Sequence, residues 1–429
     1  MKEFDKIIGY EPVKKELKRI CDILVNPEKY EKFGVKPSQG LLIFGEPGLG
    51  KSLMADCFIK ASKRKCFVCR KTKANGDFVD EITKTFEEAK ANAPSIILLD
   101  DMDKFANEDD RHTDAEEYVA VQSGIDNVKG SDVFVVATAN DVYKLPYSLK
   151  RTGRFSKKLE IRPPEGKDAE NIIKFYLSQK ENVGEIDIKE ITRLLNTKTC
   201  ADLETIVNEA GIYAASEGKE KIEHSDMVRA CLRVLYNAPE AEDEVLFSNS
   251  SEKNRMTAYH EAGHVVVAEV LEPESVTLVS IANYTGDAAG ITSTYQTKEY
   301  FHSIKYMKNR VRVVLGGKAA TAIKYYDEID VGATNDLQRA FKIAARFDND
   351  YCGSGFDSNI CYNPDVSEMQ RERHCQKLAQ ELKRCYKEAY EILSNNTEFL
   401  EKVAQKLLEK TTLMMSDIQE IKKTCKIVR

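Results

Sequence analysis

The sequence lacks any apolar run that approaches the roughly 18 uninterrupted residues of a membrane-spanning helix. Its best apolar runs, at residues 96–99 and 265–268, suit buried strands or helix faces instead. The first nine residues contain no apolar stretch, so we expect no secretion signal. We therefore expect a protein without a transmembrane segment of its own, working in the cytoplasm.

The cysteines show no disulfide-framework spacing, so we expect the 11 thiols to be reduced. Cys66 and Cys69 form a close pair, but no second pair stands beside them, and core packing explains them better than a metal site. The net charge of −6 is small for 429 residues and argues against a nucleic-acid partner. With 42% hydrophobic and 31% charged residues, the chain predicts two or three globular domains.

Strand-like and helical segments alternate over the first 165 residues, which predicts an α/β domain with a parallel sheet flanked by helices. Residues 41–44, 95–99 and 133–137 are the clearest buried strands. Prolines and a glycine at residues 162–166 break this pattern, and helical periodicity follows.

An acidic, proline-containing segment that starts at residue 237 predicts a linker. The rest is mainly helical, apart from a strand-like stretch at residues 276–295. The predicted parts are an α/β subdomain at 1–165, a helical subdomain at 166–236, a linker at 237–252 and a last domain at 253–429.

Residues 45–52 match the G-x-x-x-x-G-K-[ST] pattern between a predicted strand and a predicted helix. In such a loop the backbone N–H groups turn onto phosphate oxygens, and the helix N-terminus adds partial positive charge. Lys51 is placed to reach the β- and γ-phosphates, and Ser52 to bind Mg²⁺. The residues expected at the nucleotide are Gly45, Pro47, Gly48, Leu49, Gly50, Lys51, Ser52 and Leu53. The motif therefore predicts an ATP site.

Two acidic residues, Asp100 and Asp101, directly follow the predicted strand at residues 95–99. A carboxylate at the C-terminal end of such a strand lies near the Mg²⁺ of a bound nucleotide. We assign Asp100 to the magnesium shell and Asp101 to orienting the attacking water.

His260, Glu261 and His264 form an H-E-x-x-H pattern within an apolar, helix-like run. Residues four apart share one helix face, so both imidazoles can bind one Zn²⁺. Glu261 then stands where it can take a proton from zinc-bound water, whose pKa the metal lowers. Two helix histidines without a metal are the alternative, but only six histidines occur in the chain and two fall here.

A catalytic zinc needs a third protein ligand and an open position for water. Spacing does not select that ligand among 70 acidic residues. The downstream candidates are Asp327, Glu328, Asp330 and Asp336.

Taken in order, these motifs resemble the membrane AAA zinc proteases of the FtsH type, over nearly the whole chain. The segments that carry the resemblance are residues 4–9, 26–34, 153–155, 201–210, 257–264, 315–317 and 332–337. The resemblance implies an α/β AAA+ P-loop ATPase with a helical lid subdomain, followed by a mainly α-helical zinc peptidase domain.

The resemblance also implies roles for single residues. By position, Asp336 becomes the third zinc ligand, Asn140 senses the γ-phosphate, and Arg154 is the finger that reaches a neighbour's ATP. Ile8 and Gly9 fall where the family contacts adenine. The family further implies a homo-oligomer, a hexameric ring with ATP bound between subunits and proteolysis in a chamber below.

Several positions depart from the family pattern. Asp101 replaces a glutamate, which pulls the carboxylate back by roughly 1 Å, and a misplacement of that size can cost about 10²-fold in rate. Lys157 replaces a second finger arginine and keeps the charge without the guanidinium fork. The substrate-gripping loop is shortened, with Phe78 as the nearby aromatic. The membrane helices that precede the family's ATPase are not expected here.

The predicted function is that of an ATP-dependent zinc metalloendopeptidase acting on unfolded or delivered proteins, with ATP hydrolysis driving or gating substrate entry. The alternative is a nucleotide-switched chaperone or remodelling assembly with weak ATPase activity and secondary proteolysis, suggested by Asp101, Lys157 and the altered loop. A third hypothesis is a zinc peptidase that uses ATP only to assemble its ring.

Overall fold

The computed structural model describes residues 2–34, 38–72, 78–106, 115–151, 153–237, 252–282, 290–295, 303–325, 333–351 and 367–429. Within it, the chain divides into two compact units, Met1–Met227 and Val228–Arg429. We call them the ATPase unit and the peptidase unit.

The ATPase unit alternates strands with helices, as the sequence predicts. Its strands are β1 Gly40–Phe44, β2 Lys65–Cys69, β3 Ser95–Leu99, β4 Val133–Ala139 and β5 Lys157–Glu160. Its helices are α1 Glu11–Val25, α2 Pro27–Glu31, α3 Lys51–Ser62, α4 Phe78–Ala91, α5 Ala115–Asn127, α6 Tyr147–Lys150, α7 Lys167–Ser178, α8 Ile188–Leu194 and α9 Cys200–Ser216. Short 3₁₀ turns lie at Lys2–Lys6, Met102–Lys104 and Val142–Lys144, and helix α10, His224–Tyr236, crosses the division between the units.

The five strands form one parallel sheet in the order β2-β3-β4-β1-β5. The central strand β4 is buried along its whole length, which matches the near-continuous apolar run of a strand covered on both faces. Because the strands are parallel, the C-terminal ends of β1, β3 and β4 lie at one edge, where the predicted phosphate and magnesium groups follow.

Helices α7 to α9 form the predicted helical part of the ATPase unit. Helix α9 begins with a capping box, in which Thr199 Oγ1 accepts from the Asp202 backbone N–H at 3.2 Å and Asp202 Oδ2 accepts from the Thr199 N–H at 2.9 Å. These bonds satisfy the first amides of the helix and place its start beside the phosphate loop, where Ala201 N donates to Gly48 O at 3.0 Å.

The peptidase unit is mainly helical. Its helices are α11 Glu252–Leu271, α12 Ile304–Tyr325, α13 Thr334–Tyr351, α14 Glu368–Asn395, α15 Thr397–Lys410 and α16 Met415–Lys423. Its strands are β6 Val276–Ser280, β7 Ile291–Thr294 and β8 Thr412–Met414, joined in an antiparallel sheet of order β7-β6-β8.

Helices α11 and α12 pack closely because glycines face each other across them. A Cβ on Gly263 would stand 2.4 Å from Gly316 O, and a Cβ on Gly316 would stand 2.8 Å from Gly263 O. Side chains at these two positions would therefore push the helices apart. Around this contact, α11, β6 and the C-terminal helices bury an apolar core that includes Val266, Phe399 and Leu407.

The strand-like stretch predicted at residues 276–295 corresponds to β6 and β7. Strand β8 is not anticipated by the sequence analysis, because it is three residues long and joins a partner far along the chain. In the described part of the chain, none of the helices is both long enough and apolar enough to cross a bilayer.

Candidate metal and nucleotide sites

In the peptidase unit, two helices bring one acidic and two imidazole side chains together. His260 and His264 are four residues apart on α11, and Asp336 lies in the first turn of α13. Asp336 Oδ2 lies 2.9 Å from His260 Nε2 and 3.1 Å from His264 Nε2. One ligand atom from each residue lies within 4.8 Å of the others, an arrangement that could hold a metal ion. Imidazole and carboxylate are the donors that a catalytic zinc accepts.

The ring of His264 is held in the orientation that metal binding needs. Its Nδ1 lies 2.7 Å from the Val313 carbonyl oxygen on α12. Because a carbonyl only accepts, Nδ1 carries the proton and Nε2 keeps its lone pair for a metal. Burial raises the pKa of Asp336, but the close contacts with the His260 and His264 rings outweigh it and hold that pKa below its ordinary range.

The space beside the three ligands depends on Gly317 of α12. A Cβ at this position would stand 2.5 Å from His260 Nε2 and 2.6 Å from His264 Nε2. Any side chain here would collide with both ligand nitrogens, so the residues present fit a metal ion. The other acidic candidates, Asp327, Glu328 and Asp330, lie outside the described residues.

Glu261, the predicted general base, is buried on α11 and held by the edge strand β7. Thr292 Oγ1 donates to Glu261 Oε2 at 2.6 Å. Gly290 lies against the same side chain, since a Cβ there would stand 2.6 Å from Glu261 Cγ. The strand therefore fixes the carboxylate beside the metal ligands, and all of them line one cleft of about 430 Å³.

In the ATPase unit, the phosphate loop joins β1 to α3, as predicted. Gly48 and Gly50 both have φ of 79°, a left-handed conformation that glycine adopts without a Cβ penalty. Lys51 is buried at the start of α3, and its Nζ donates to Glu46 O at 2.7 Å and to Asn140 Oδ1 at 2.8 Å. Burial lowers the pKa of Lys51, and the carboxylates of Asp101, Asp103 and Asp100 offset part of that shift.

The acidic pair after β3 meets the end of β4. Thr138 Oγ1 donates to Asp100 Oδ1 at 2.7 Å and accepts from the Asp101 backbone N–H at 2.8 Å. Arg70, at the end of β2, forms an ion pair with the buried Asp100, and Lys104 Nζ lies 2.7 Å from Asp101 Oδ2. The two carboxylates therefore carry cationic partners from the chain itself.

The other predicted nucleotide residues also lie in this unit. Leu49 is buried, Pro47, Ser52 and Leu53 are exposed, and Gly45 is half-buried. Ile8 and Gly9 precede α1, with Ile8 half-buried and Gly9 packed against Asp168.

Two family models match this chain. One, described as the ATPase family associated with various cellular activities (AAA), matches residues 41–163, and the other, Peptidase family M41, matches residues 247–421. The ATP-dependent zinc metalloprotease FtsH 2 of Thermoanaerobacter sp. (strain X514) is 30% identical over 438 residues, which cover 97% of this chain and 82% of that relative. The chain belongs to the FtsH family of ATP-dependent zinc metalloproteases.

Further FtsH relatives match over similar lengths. That of Halothermothrix orenii is 28% identical over 95% of this chain and 68% of its own length. That of Thermus thermophilus is 29% identical over 97% of this chain and 70% of its own length. The family confirms the predicted fold class, the predicted ATP-dependent zinc metalloprotease activity and the cofactors Zn²⁺, ATP and Mg²⁺.

Arg154 is the predicted arginine finger, and its side chain is buried inside its own unit. Its side chain is 2% exposed, with Nη2 at 2.6 Å from Asp126 Oδ2 and Nη1 at 2.7 Å from the Ser148 carbonyl oxygen. The Arg154 guanidinium holds the pKa of Asp126 at about 2. In this conformation Arg154 does not reach outward, so the finger role remains a prediction that requires this ion pair to open.

Phe78 does not offer the exposed aromatic of a substrate grip. It is buried and packs edge-on against Phe105, with ring centroids 5.1 Å apart. The rest of the predicted grip segment, residues 73–77, lies outside the described residues.

Sequence reasoning missed the residues that orient the predicted ones. They are Arg70, Thr138, Gly290, Thr292 and the Val313 carbonyl. Thr138 and Thr292 lie at or near strand ends, which is a weak signal, and no spacing rule connects either one to its partner.

Proposed function

We propose that this metalloprotease hydrolyses peptide bonds with His260, His264 and Asp336 as zinc ligands and Glu261 as general base. The observation that carries the proposal is the convergence of the three ligand atoms within 4.8 Å of one another. Glu261 lines the same cleft as these ligands. A metal here would be open to substrate on the cleft side, as a catalytic zinc site requires.

The chain's own residues prepare this chemistry. When bound, zinc would acidify water and polarise the substrate carbonyl. Glu261 accepts the proton of the attacking water and returns it to the leaving amine. The Thr292 hydroxyl donates a hydrogen bond to Glu261 Oε2 at 2.6 Å, so Oε1 is the oxygen that takes the proton.

In the ATPase unit, we assign the nucleotide to the loop between β1 and α3. Lys51 binds the β- and γ-phosphates, Ser52 and Asp100 hold Mg²⁺, and Asp101 orients the attacking water. Asn140 senses the γ-phosphate, and its 2.8 Å contact with Lys51 supports this placement. Ile8 and Gly9 border the adenine.

The assembly we propose is a hexameric ring in which Arg154 reaches the ATP of a neighbour and unfolded or delivered proteins are the substrates. The AAA family match supports ring assembly. The proposed parts are 1–165, 166–236, 237–252 and 253–429; the linker falls almost wholly outside the described residues. We place the protein in the cytoplasm, which the free thiols of the described cysteines support.

The test is degradation of casein by the zinc-loaded protein with ATP, without ATP and with a zinc chelator. We expect cleavage that ATP accelerates and the chelator stops. Glu261→Gln should abolish cleavage and leave ATP binding unchanged, because the amide cannot accept the proton. Persistent cleavage by this variant would contradict the assignment of Glu261.

A second candidate is a nucleotide-switched remodelling machine with slow ATP hydrolysis and secondary proteolysis. The Arg70 ion pair on Asp100 favours it, because Mg²⁺ must compete with a guanidinium for that carboxylate. Measuring the ATPase rate with and without casein separates the two candidates. Brisk hydrolysis that substrate stimulates would remove the second one.

A further inference from the structure

The cleft of the peptidase unit is lined by more cationic than anionic side chains. Lys253, Arg310 and Arg339 face it, against the carboxylates of Glu261 and Asp336. Zinc would add two further positive charges. The cleft as a whole is therefore suited to an anionic partner.

The two arginines approach the cleft from neighbouring helices. Arg310 lies on α12, one turn before Val313, whose carbonyl oxygen holds His264. Arg339 lies on α13, one turn after Asp336, and therefore on the same face of that helix. Arg310 is therefore one turn from the residue that orients His264, and Arg339 is one turn from the proposed ligand Asp336.

Neither guanidinium has a carboxylate partner within the described residues. Arg310 Nη1 donates to Thr294 Oγ1, a neutral acceptor, at 2.9 Å, and the Arg339 guanidinium makes no hydrogen bond to any described residue. Loss of solvent and the nearby Arg310 charge lower the pKa of Arg339, although Asp336 offsets part of this shift. The charge of Arg310 is therefore close enough to act on Arg339, and both arginines line the same cleft.

Two arginines on the same helices do have acidic partners. Arg312, on the same helix as Arg310, lies 2.5 Å from Glu388, and Arg346, on the same helix as Arg339, lies 3.1 Å from Asp350. A guanidinium pair such as that of Arg310 and Arg339 binds a carboxylate well, because its planar donors match the two oxygens.

We propose that Arg310 and Arg339 form a carboxylate-binding subsite that selects substrates with an acidic group close to the scissile bond. This inference rests on the proposed peptidase function. The carboxylate belongs either to an Asp or Glu side chain or to the C-terminus of the substrate, and both present the same two oxygens to the arginines.

The experiment uses the full-length, zinc-loaded protein with ATP and a set of short, otherwise uncharged peptides. A single Glu is moved through every position, each peptide is matched with its Gln and Lys counterparts, and each set is made with a free and an amidated C-terminus. Products are identified by mass spectrometry, and kcat and KM are measured separately.

We expect one position, relative to the cleaved bond, at which Glu is preferred over Gln by about tenfold in kcat/KM, mainly through KM. Arg310→Gln and Arg339→Gln should each remove most of this preference, measured within each variant as the ratio of kcat/KM for the Glu peptide to that for its Gln counterpart. Arg346→Gln is the matched control, on the same helix but paired with Asp350 outside the cleft, and should keep the preference.

Arg339→Glu is a second variant, for which the preference should invert towards Lys; a general folding defect would not do this. A preference lost on amidation alone would support the subsite with the C-terminal carboxylate as its ligand. Cleavage without any charge preference, or a preference that survives both arginine substitutions, would overturn the inference and leave the proposed function intact. No cleavage of any peptide would contradict the proposed function and the inference together.

Discussion

The two sites of this chain differ in what their charged groups contact. In the peptidase unit, two imidazoles and one carboxylate turn towards one shared point, and a backbone carbonyl orients one of the rings. In the ATPase unit, the charged groups contact other side chains of the unit. Lys51 contacts Asn140, Asp100 contacts Arg70, and Asp101 contacts Lys104.

This difference has a physical consequence for ligand binding. The metal site exchanges contacts among its own ligands for metal bonds. The nucleotide site must break contacts of its own before phosphate and Mg²⁺ can replace them. The departures expected at Asp101 and Lys157 lie in the ATPase unit, so we expect ATP hydrolysis to be affected more than the peptide chemistry.

The largest expected effect is on the metal site. Asp336→Ala removes one of the three proposed ligands, so zinc affinity should fall by more than the roughly 10- to 100-fold that loss of an outer-shell partner costs. Zinc content after dialysis and cleavage of a short peptide are the measurements. Asp350→Ala, on the solvent side of the same helix, is the control and should retain both. Full zinc retention by Asp336→Ala would show that the third ligand lies elsewhere.

The next effect concerns Asp101, the acid proposed to orient the attacking water in the ATPase unit. Asp101→Glu should extend the carboxylate by roughly 1 Å and raise the ATPase kcat by up to about 100-fold. Asp132→Glu, an exposed carboxylate at the opposite end of β4, should leave the rate unchanged. A slower Asp101→Glu variant would mean that this site is adapted to the shorter side chain.

A smaller effect should come from the edge strand of the peptidase unit. Thr292→Val removes the hydroxyl that holds Glu261, so kcat for a short peptide should fall by about tenfold with little change in KM. Thr292→Ser keeps a hydroxyl and should restore most of kcat. Equal losses in both variants would point to packing and not to the hydrogen bond.

The smallest effect is expected for the ion pair between Arg70 and Asp100, the acid proposed to hold Mg²⁺. Arg70→Ala frees Asp100, so the KM for ATP measured at limiting Mg²⁺ should fall by a few-fold; the Arg70 side chain is 58% exposed, and solvent weakens the pair. Arg162→Ala, which removes an exposed arginine paired with Glu160, is the control. An unchanged KM would mean that the pair does not compete with the metal.

Prediction from the sequence succeeded where function depends on neighbours in the chain. The phosphate loop is a short segment between a strand and a helix, and the two histidines share one helix face because of their spacing. The proposed third ligand could not be chosen in this way. Spacing left several acidic residues as candidates, and only the family resemblance selected Asp336. The structure brings Asp336 to the histidines because α11 and α13 both pack against α12.

What the sequence by itself determined is the set of local patterns: a parallel α/β unit, a phosphate loop and a metal-binding helix. Only the tertiary structure decided which distant groups meet, such as Thr292 with Glu261 across 31 positions and Arg70 with Asp100 across 30. It also decided that Arg154 pairs with Asp126 inside the unit. The reason is that backbone periodicity follows from adjacent residues, whereas contacts between elements depend on how helices and strands pack.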